Sequence, residues 1–315
     1  LFNTMHTSNS INIAVLGAGS WGIALASHCD KIGHNVSLWE FDTSAAELLS
    51  QTRERTDVLR GIKLSTSINI TSNLQRAVQS AEIILLVVPS HVARNVIQNL
   101  AKVNVNSDVV LVNCTKGLEI DSLCRISQIV EQEMSTTIFN RYTVLSGPSH
   151  AEEVSKGIPT AVVAASKDEI VARFVQQSLN GLTFRIYRSR DVVGVELGGS
   201  LKNVIAIAAG ICDGAGFGDN TKAALQPRGL AEMSRLGLQM GADSMTFAGL
   251  SGMGDLIVTC MSRHSRNRFF GEEIGKGRKL DEILESMTMV AEGVRTSQAV
   301  VKLAKEQNVE MPICA

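Results

Sequence analysis

The chain has 315 residues, of which 44% are hydrophobic and 19% are charged, and its 30 basic and 31 acidic residues leave a formal net charge of −1. Without a basic excess, and with only 4% aromatic residues, the composition argues against a nucleic-acid-binding surface. No uninterrupted apolar run reaches the roughly 18 residues that a membrane-spanning helix requires, so we expect no membrane span.

Cysteine usage and the opening residues are typical of a cytoplasmic protein. The six cysteines are scattered along the chain and include no CxxC pair. We therefore expect reduced thiols, no disulfide framework and no metal site. The opening LFNTMHTSNS lacks the apolar region of a signal peptide, and we interpret residues 1–10 as a disordered lead-in or an expression remnant.

The first part of the chain has the pattern of repeated βα units. From Ile11 to about Ser189, short runs rich in Val and Ile alternate with helix-like segments, as in a parallel sheet that is buried on both faces. The predicted strands are INIAVLG (11–17), NVSLWE (35–40), EIILLVV (82–88), DVVLVNC (108–114), YTVLSG (142–147), TAVVAA (160–165) and TFRIY (183–187). We therefore predict an α/β fold in which residues 11–190 form an N-terminal, Rossmann-like, doubly wound parallel sheet.

The strand pattern ends near residue 190, and the rest of the chain is typical of helices joined by Gly-rich turns. The predicted helical segments are 192–216, 221–241 and 280–308. Because the chain exceeds the size at which one core usually keeps growing, we predict a second, all-helical, substrate-binding domain over residues 191–315. Its many apolar helices favour a homodimer.

The segment VLGAGSWG (15–22) predicts a dinucleotide-binding loop. Its three glycines form a G-x-G-x-x-G motif between an apolar strand and a helix-like segment. In that context the first glycine permits a tight turn, the second lets the backbone approach a pyrophosphate, and the third lets helix and strand pack closely. The phosphates would meet free N–H groups at the start of a helix. We therefore predict NAD or NADP binding by Gly17, Gly19, Ser20, Trp21 and Gly22.

The acidic end of the second predicted strand bears on the choice between the two cofactors. Glu40 stands where a carboxylate would accept hydrogen bonds from the adenosine ribose of NAD and repel the extra phosphate of NADP. Arg53 and Arg55 follow closely and could reverse that preference. A solvated charge at a strand end is the alternative explanation for Glu40, and the sequence leaves the preferred cofactor open.

Several further stretches occur in the order found in one enzyme family. They are VVPSH (87–91), TKGLE (115–119), SGPSHAEEV (146–154), LKNVIAIAAG (201–210), GFGDNTKAAL (216–225), RGLAEMSRLG (228–237), GLSGMGDLIVTC (249–260), SRNRFFG (265–271) and AEGVRT (291–296). On these residues essentially the whole chain resembles the bacterial-type NAD(P)-dependent glycerol-3-phosphate dehydrogenases. The resemblance implies reversible hydride transfer between NAD(P)H and dihydroxyacetone phosphate, giving sn-glycerol 3-phosphate for glycerophospholipid synthesis.

The chain also departs from the family pattern. Gln226 and Pro227 replace an aliphatic–threonine pair, and a proline inside a helix is costly outside the first turn, so we expect a helix start or a kink near Pro227. Phe41 stands where some members carry a histidine near the adenosine ribose, and Ser149 where a threonine is frequent. Family chains continue past the MPIC of residues 311–314 into further helix.

The resemblance assigns the chemistry to Lys202, Lys116 and Asp255. Hydride transfer to a ketone leaves negative charge on the carbonyl oxygen, which needs a proton donor and positive charge beside it. Lys202 matches the catalytic lysine, and its apolar surroundings would lower its pKa by desolvation; a lysine that reaches the surface along its own stem is the alternative. Lys116 follows a strand at its carboxyl end, where open α/β sheets bind ligands. Asp255 would hold Lys202 or accept a hydrogen bond from the substrate, and a helix N-cap is the alternative.

The resemblance also implies the other binding residues. The segment SRNR (265–268) would hold the substrate phosphate, with Arg266 and Asn267 as its anchors, and we interpret Arg263 and Arg268 as solvated charges. The implied substrate-binding residues are Lys116, Gly147, Ser149, Lys202, Asp255, Ser265, Arg266 and Asn267. The further cofactor-binding residues are Glu40, Phe41, Lys116, Ala151, Arg266, Val290 and Glu292.

Two other functions fit parts of the sequence. A related two-domain hydroxyacid dehydrogenase or ketopantoate-type reductase would share the arrangement of domains, but its carboxylate substrate would not need the same phosphate anchor. A non-catalytic NAD(P)-binding sensor would give no reason for a lysine at position 202.

Replacing the assigned lysine tests the catalytic interpretation. Lys202→Met removes the ammonium group and keeps a side chain of similar length. We expect nearly unchanged cofactor affinity and an activity lower by roughly 10²–10⁴-fold, the usual contribution of a general acid. Cofactor titration and steady-state kinetics measure the two effects, and turnover like that of the wild type would refute the role.

Overall fold

The computed structural model describes residues 10–287 and 291–315, so the predicted lead-in lies outside the described residues except for Ser10. The strands are β1 (Asn12–Leu16), β2 (Asn35–Trp39), β3 (Asn69–Thr71), β4 (Ile83–Leu86), β5 (Val110–Asn113), β6 (Tyr142–Ser146), β7 (Thr160–Ala165) and β8 (Phe184–Ser189). The helices before β8 are α1 (Ser20–Lys31), α2 (Thr43–Thr52), α3 (Leu74–Val78), α4 (Ser90–Lys102), α5 (Ile126–Glu133), α6 (Thr136–Phe139), α7 (Ala151–Val154) and α8 (Glu169–Leu179). The helices after β8 are α9 (Val192–Gly214), α10 (Gly218–Gln239), α11 (Ser244–Ala248), α12 (Asp255–Met261), α13 (Arg266–Gly275), α14 (Leu280–Ser286) and α15 (Glu292–Glu306).

All eight strands form one sheet in the order β3-β2-β1-β4-β5-β6-β7-β8. The order reverses between β1 and β4, which is the switch point of a doubly wound sheet, so the predicted fold class is confirmed. Each predicted strand is present. The short edge strand β3 was not predicted, because its three residues are partly exposed and carry no run of apolar side chains.

The sheet departs from the predicted parallel arrangement at one pair of strands. β7 runs antiparallel to β6, whereas the other neighbouring pairs are parallel. The connection between them contains only the four-residue helix α7. A helix of that length rises about 6 Å and cannot carry the chain back along the sheet, so β7 makes the return itself.

Alternate residues of the strands fill cores on the two faces of the sheet. Ile13 and Val15 belong to one hydrophobic cluster, and Ala14 and Leu16 belong to the other. A third cluster surrounds α9, the long helix of the second half. Among the described helices, only α9 is long and apolar enough to cross a membrane, and 83% of its apolar window is buried inside the protein. A helix buried to this extent inside the protein is typical of the core helix of a globular domain.

Of the helix start or kink expected near Pro227, the helix start is wrong. The helix α10 begins at Gly218 and continues through Pro227. A proline has no backbone N–H, so the carbonyl group of Ala223 loses its helical partner. Both residues are exposed, and water can therefore hydrate the carbonyl oxygen.

Helices α9 and α13 touch through glycines. A Cβ atom at Gly210 would lie 1.9 Å from the carbonyl oxygen of Arg268, and one at Gly271 would lie 1.9 Å from that of Ile207. The same close approach occurs one turn further on, at Gly214 of α9. Side chains would keep the two backbones apart. The glycines therefore hold the first turn of α13, with its SRNR segment, close to the helix that carries Lys202.

This packing predicts a stability effect at Gly210. Gly210→Ala forces a methyl group into backbone atoms, and we expect unfolding to become easier by about 1–3 kcal/mol, the usual cost of overpacking. Urea titration followed by circular dichroism measures the change. Gly254→Ala is the matched control, because its Cβ would meet Pro148 at an ordinary 3.6 Å, and a helical alanine there should be neutral or slightly stabilising. Equal losses for both variants would contradict the packing argument.

Candidate active site

The loop between β1 and α1 has the geometry of a phosphate cradle. Gly17 has φ +115°, and a Cβ at this position would lie 2.6 Å from the carbonyl oxygen of Val87. Gly22 packs so closely that its Cβ would lie 1.8 Å from the Gly17 carbonyl oxygen. Gly19 precedes α1 without any side-chain cap, and its missing Cβ would point into open space. The first N–H groups of α1 are thus accessible, and the loop fits a pyrophosphate.

Ser20 and Trp21 are the first two residues of α1. The ring of Trp21 lies 6.4 Å from that of Phe184 and packs against the core on one face of the sheet. The ring of Trp21 therefore packs on the core beside the start of this helix.

The end of β2 lies beside this loop, because the Gly17 N–H donates to the carbonyl oxygen of Trp39 (2.9 Å). Glu40 follows directly, is half-buried and accepts a hydrogen bond from Arg55 Nη1 (3.3 Å). Phe41 is 74% exposed and stacks edge-on against Trp39 at 6.1 Å. The carboxylate of Glu40 and the exposed ring of Phe41 thus lie beside the glycine loop.

Two lysines share one buried carboxylate at the carboxyl end of the sheet. Lys202 Nζ donates to Asp255 Oδ1 (2.5 Å) and to Thr259 Oγ1 (2.6 Å). Lys116 Nζ donates to Asp255 Oδ2 (2.6 Å) and to the carbonyl oxygen of Gly147 (3.2 Å). Lys202 is 6% exposed and Asp255 is 1% exposed. The alternative of a lysine that reaches the surface is therefore excluded, and Asp255 is the first residue of α12 rather than its N-cap.

Close backbone contacts bring these three residues together. Lys116 lies on the loop after β5, Lys202 lies in α9, and Asp255 follows a π-helical turn, Leu250–Gly254. A Cβ at Gly198 of α9 would lie 2.5 Å from the carbonyl oxygen of Ser251 in that turn. The small residues of the GLSGMGD segment therefore let the turn approach α9 until the carboxylate reaches both ammonium groups.

Burial and pairing shift the pKa values of this cluster in opposite directions. Burial lowers the pKa of Lys202 to about 8, although the neighbouring Asp255 opposes the shift. Burial also acts to raise the pKa of Asp255, but Lys116 and Lys202 outweigh it and hold that pKa below its usual value. Lys202 is thus an amine that can exchange a proton near neutral pH, beside a carboxylate that stays ionised.

The turn after β6 closes one side of the cluster. Ser149 Oγ donates to the carbonyl oxygen of Gly147 (2.9 Å), which also accepts from Lys116. Pro148 lies against Gly254, next to Asp255. The turn therefore packs on the start of α12, and the structure brings Gly147 and Ser149 to the lysine pair.

The SRNR segment forms the start of α13. Ser265 is buried and caps the helix, accepting from the Arg268 N–H (3.2 Å). Asn267 is buried too: its Nδ2 donates to Asn203 Oδ1 (2.9 Å), and its Oδ1 accepts from the Gly293 N–H (2.9 Å). Arg266 is exposed on the first turn. The side chain of Asn267 therefore ties α13 to α9 and α15.

The interpretation of Arg268 as a solvated charge is wrong. Its Nε donates to Asp213 Oδ2 (2.7 Å), and its side chain is largely buried. Asp213 lies in the last turn of α9, so this ion pair joins α13 to α9. Arg263 is exposed, as predicted.

The other implied cofactor residues lie at the starts of helices. Ala151 is the buried first residue of α7, and Glu292 is the first residue of α15. Glu292 Oε2 accepts from Ser90 Oγ (3.0 Å), at the start of α4, and burial raises the pKa of Glu292. Val290 lies outside the described residues.

Comparison with known proteins agrees with this geometry. Residues 12–172 match the N-terminal part, and residues 191–315 the C-terminal part, of NAD-dependent glycerol-3-phosphate dehydrogenase. The chain belongs to that family. A relative from Pelotomaculum thermopropionicum is 50% identical over 96% of this chain and 86% of its own length, and one from Geobacter sp. (strain M21) is 50% identical over 96% and 90%. Both are named glycerol-3-phosphate dehydrogenase, NAD(P)+.

A crystal structure of glycerol-3-phosphate dehydrogenase from Coxiella burnetii has the same fold, with a TM-score of 0.92 at 34% identity. The likeness covers 97% of this chain and 92% of that chain. The resemblance drawn from the sequence motifs is therefore confirmed for the family and for the fold.

Three polar residues that were given no role from the sequence interact with candidate site residues of this family member. Thr259 bonds Lys202, and its position one helical turn after Asp255 is a signal that could have indicated it. Ser90 bonds Glu292 and is the first residue of α4, in the connection that leaves the carboxyl end of β4, where ligands bind. His150 Nε2 is buried with no hydrogen-bond partner among the described residues, and burial and the charge of Lys202 lower the pKa of this histidine.

Proposed function

We propose that this chain reduces dihydroxyacetone phosphate to sn-glycerol 3-phosphate with NADH or NADPH, and that it catalyses the reverse oxidation. The observation that supports this most is the buried pair of lysines on Asp255, in a member of the NAD-dependent glycerol-3-phosphate dehydrogenase family. The relatives at 50% identity carry the name of that activity. A protein that only senses the nucleotide would give no reason for this cluster.

The glycine loop would hold the cofactor with its phosphates at the start of α1, as the open space at Gly19 allows. When it is bound, the nicotinamide supplies or takes up the hydride. We propose that residues 11–190 bind this cofactor and that residues 191–315 complete the substrate site, since Lys202, Asp255 and the SRNR segment all lie in the second range.

Lys202 is the proposed proton donor in ketone reduction. Its ammonium group gives a proton to the oxygen that was the carbonyl oxygen, and the neutral amine remains bonded to Thr259 and Asp255. In the oxidation, the amine takes the hydroxyl proton back. Lys116 stays beside Asp255 and places a second positive charge near the developing alkoxide. Asp255 positions both lysines and offsets the cost of burying them.

The start of α13 is the proposed anchor for the substrate phosphate. Arg266 offers a guanidinium fork, and the helix start offers N–H groups. Because Asn267 uses its side chain to tie three helices together, its contribution is to hold this turn in place. Gly147 and Ser149 would face the substrate from the opposite turn, and Ala151, Glu292 and Val290 would contact the cofactor.

Membership of this family argues against the reading as a ketopantoate-type or hydroxyacid enzyme. A direct test follows the loss of NADPH or NADH absorbance with dihydroxyacetone phosphate and, separately, with ketopantoate. Turnover of the first substrate alone supports the proposal, turnover of the second would overturn it, and no turnover of either would favour a sensor.

We also propose a cytoplasmic homodimer that feeds glycerophospholipid synthesis. All six cysteines are unpaired, as is usual in a reducing compartment. Large apolar side chains remain exposed on the helical half, among them Phe217, Met245 and Met261, and such side chains suit a contact between subunits.

The proposed mechanism predicts a pH dependence. Lys202 must carry its proton for reduction, and its pKa is about 8, so kcat/KM for reduction should be constant at lower pH and fall tenfold per pH unit above about 8. For the oxidation, which needs the neutral amine, kcat/KM should rise with pH up to about 8 and be constant above it. In Asp255→Asn the neighbour that raises the pKa of Lys202 is lost, so the falling limb should move to lower pH. A profile that is flat from pH 7 to 10 would contradict the assignment.

The proposed phosphate anchor predicts a selective effect on KM. Arg266→Ala should raise KM for dihydroxyacetone phosphate by roughly 10–100-fold, because a charge-assisted hydrogen bond is lost. The rise in KM for the nicotinamide cofactor should be much smaller. Arg263→Ala removes a nearby exposed arginine and is the matched control. Equal changes in both KM values, or an equal effect of the control, would count against the anchor.

A further inference from the structure

The sequence left the choice between NADH and NADPH open, and the arrangement of charges after β2 bears on it. Arg55 lies between two acids: its Nη1 donates to Glu40 Oε2 (3.3 Å), and its Nη2 donates to Asp57 Oδ2 (2.6 Å). Its Nε also donates to Asp57 Oδ1 (3.0 Å). The contact with Asp57 is therefore bidentate and fixes the plane of the guanidinium group.

Glu40 is held from both sides. Its Oε1 accepts from the Asp42 N–H (3.2 Å), while Arg55 binds the other oxygen. The side chain of Glu40 is 17% exposed and that of Arg55 is 22% exposed, whereas that of Asp57 is 56% exposed. This carboxylate therefore has a fixed direction next to the glycine loop, and each of its oxygens keeps a lone pair free for a ribose hydroxyl.

The acids around Arg55 outnumber it. Asp57, Glu40 and Asp42 all act on the guanidinium group and raise its pKa, and the hydrogen bond that Arg55 donates to Asp57 is the largest cause. Arg55 and Asp57 also line an open groove of about 570 Å³ beside α2, whose other charged residues are Glu54 and Lys63. A phosphate group that entered here would meet a guanidinium group whose charge is already balanced.

The second arginine of this segment donates to the backbone instead. Arg53 Nη1 donates to the carbonyl oxygens of Ile68 (2.8 Å) and Ser65 (3.3 Å). Its backbone has φ +61° at the end of α2, so the residue ends that helix and ties the following loop to β3. Arg53 is thus used to hold the loop.

We propose that Asp57 sets the cofactor preference of this protein through Arg55: it holds the guanidinium group against Glu40, so that the site accepts the ribose hydroxyl of NADH and rejects the 2′-phosphate of NADPH. Asp57 is a positioning residue, and Glu40 is the residue that contacts the ribose. The inference rests on the proposed nicotinamide function. It also assigns a latent role to Arg55, which can bind a phosphate once the two acids are removed.

Binding measurements test the proposal without turnover. Dissociation constants for NADH and NADPH, measured by calorimetry, should show that the wild type binds NADH at least about tenfold more tightly, because like charges meet when the 2′-phosphate enters. Glu40→Ser should raise the relative affinity for NADPH. Glu40→Ser/Asp57→Asn should raise it further, by at least about tenfold over Glu40→Ser alone, through a lower Kd for NADPH. When Arg55→Gln is added to these two substitutions, the gain in affinity for NADPH should disappear.

The control is Glu47→Gln, which removes one acid from the exposed side of α2 and should leave the ratio of the two constants unchanged. Tighter or equal binding of NADPH by the wild type would overturn the proposal. It would also fail if adding Asp57→Asn to Glu40→Ser did not change the ratio, or if the gain survived Arg55→Gln. The outcome is separate from that of the proposed function, because reduction of dihydroxyacetone phosphate with either cofactor supports that function whatever the ratio is.

Discussion

The candidate site depends on one buried carboxylate that two ammonium groups share. Removing a charge from water costs several kcal/mol unless it is paired, and Asp255 is almost fully enclosed. Its two oxygens each accept from one lysine, at 2.5 and 2.6 Å, so the anion is satisfied and both cations are held. Two positive charges against one negative charge leave an excess of positive charge, which is what an oxygen that becomes negative requires. The same burial brings the pKa of Lys202 down to about 8.

Such a cluster needs backbones to come closer than side chains normally permit. Gly198 lets the turn before α12 approach α9, and Gly210 and Gly271 let α13 do the same further along. The long helix α9 is therefore both the centre of the helical core and the support of Lys202, while α13 presents the proposed phosphate anchor beside it. Packing and chemistry in the second half of the chain depend on the same glycines.

Much of this could be predicted from residues, and the failures have physical causes. The strands were predicted because a strand buried on both faces is a continuous apolar run. The G-x-G-x-x-G loop was predicted because its three glycines stand between such a run and a helix-like segment. β3 was missed because it is short and partly exposed, and the direction of β7 was missed because periodicity carries no information on strand direction. Arg268 was misjudged, since only the fold shows that Asp213 lies opposite it. Ser90 was missed because its partner Glu292 is distant in the chain, and Thr259 was missed although it lies one helical turn after Asp255.

The sequence by itself determined the fold class, the family and the loop that fits a dinucleotide, because these follow from local patterns and motifs that a single stretch of chain contains. Only the tertiary structure decided that Lys202 is buried rather than exposed and that it shares Asp255 with Lys116. It alone showed that Arg55, left open by the sequence, lies between Glu40 and Asp57. The reason is that charge pairing and desolvation depend on distances between residues that the chain keeps far apart and that folding brings together.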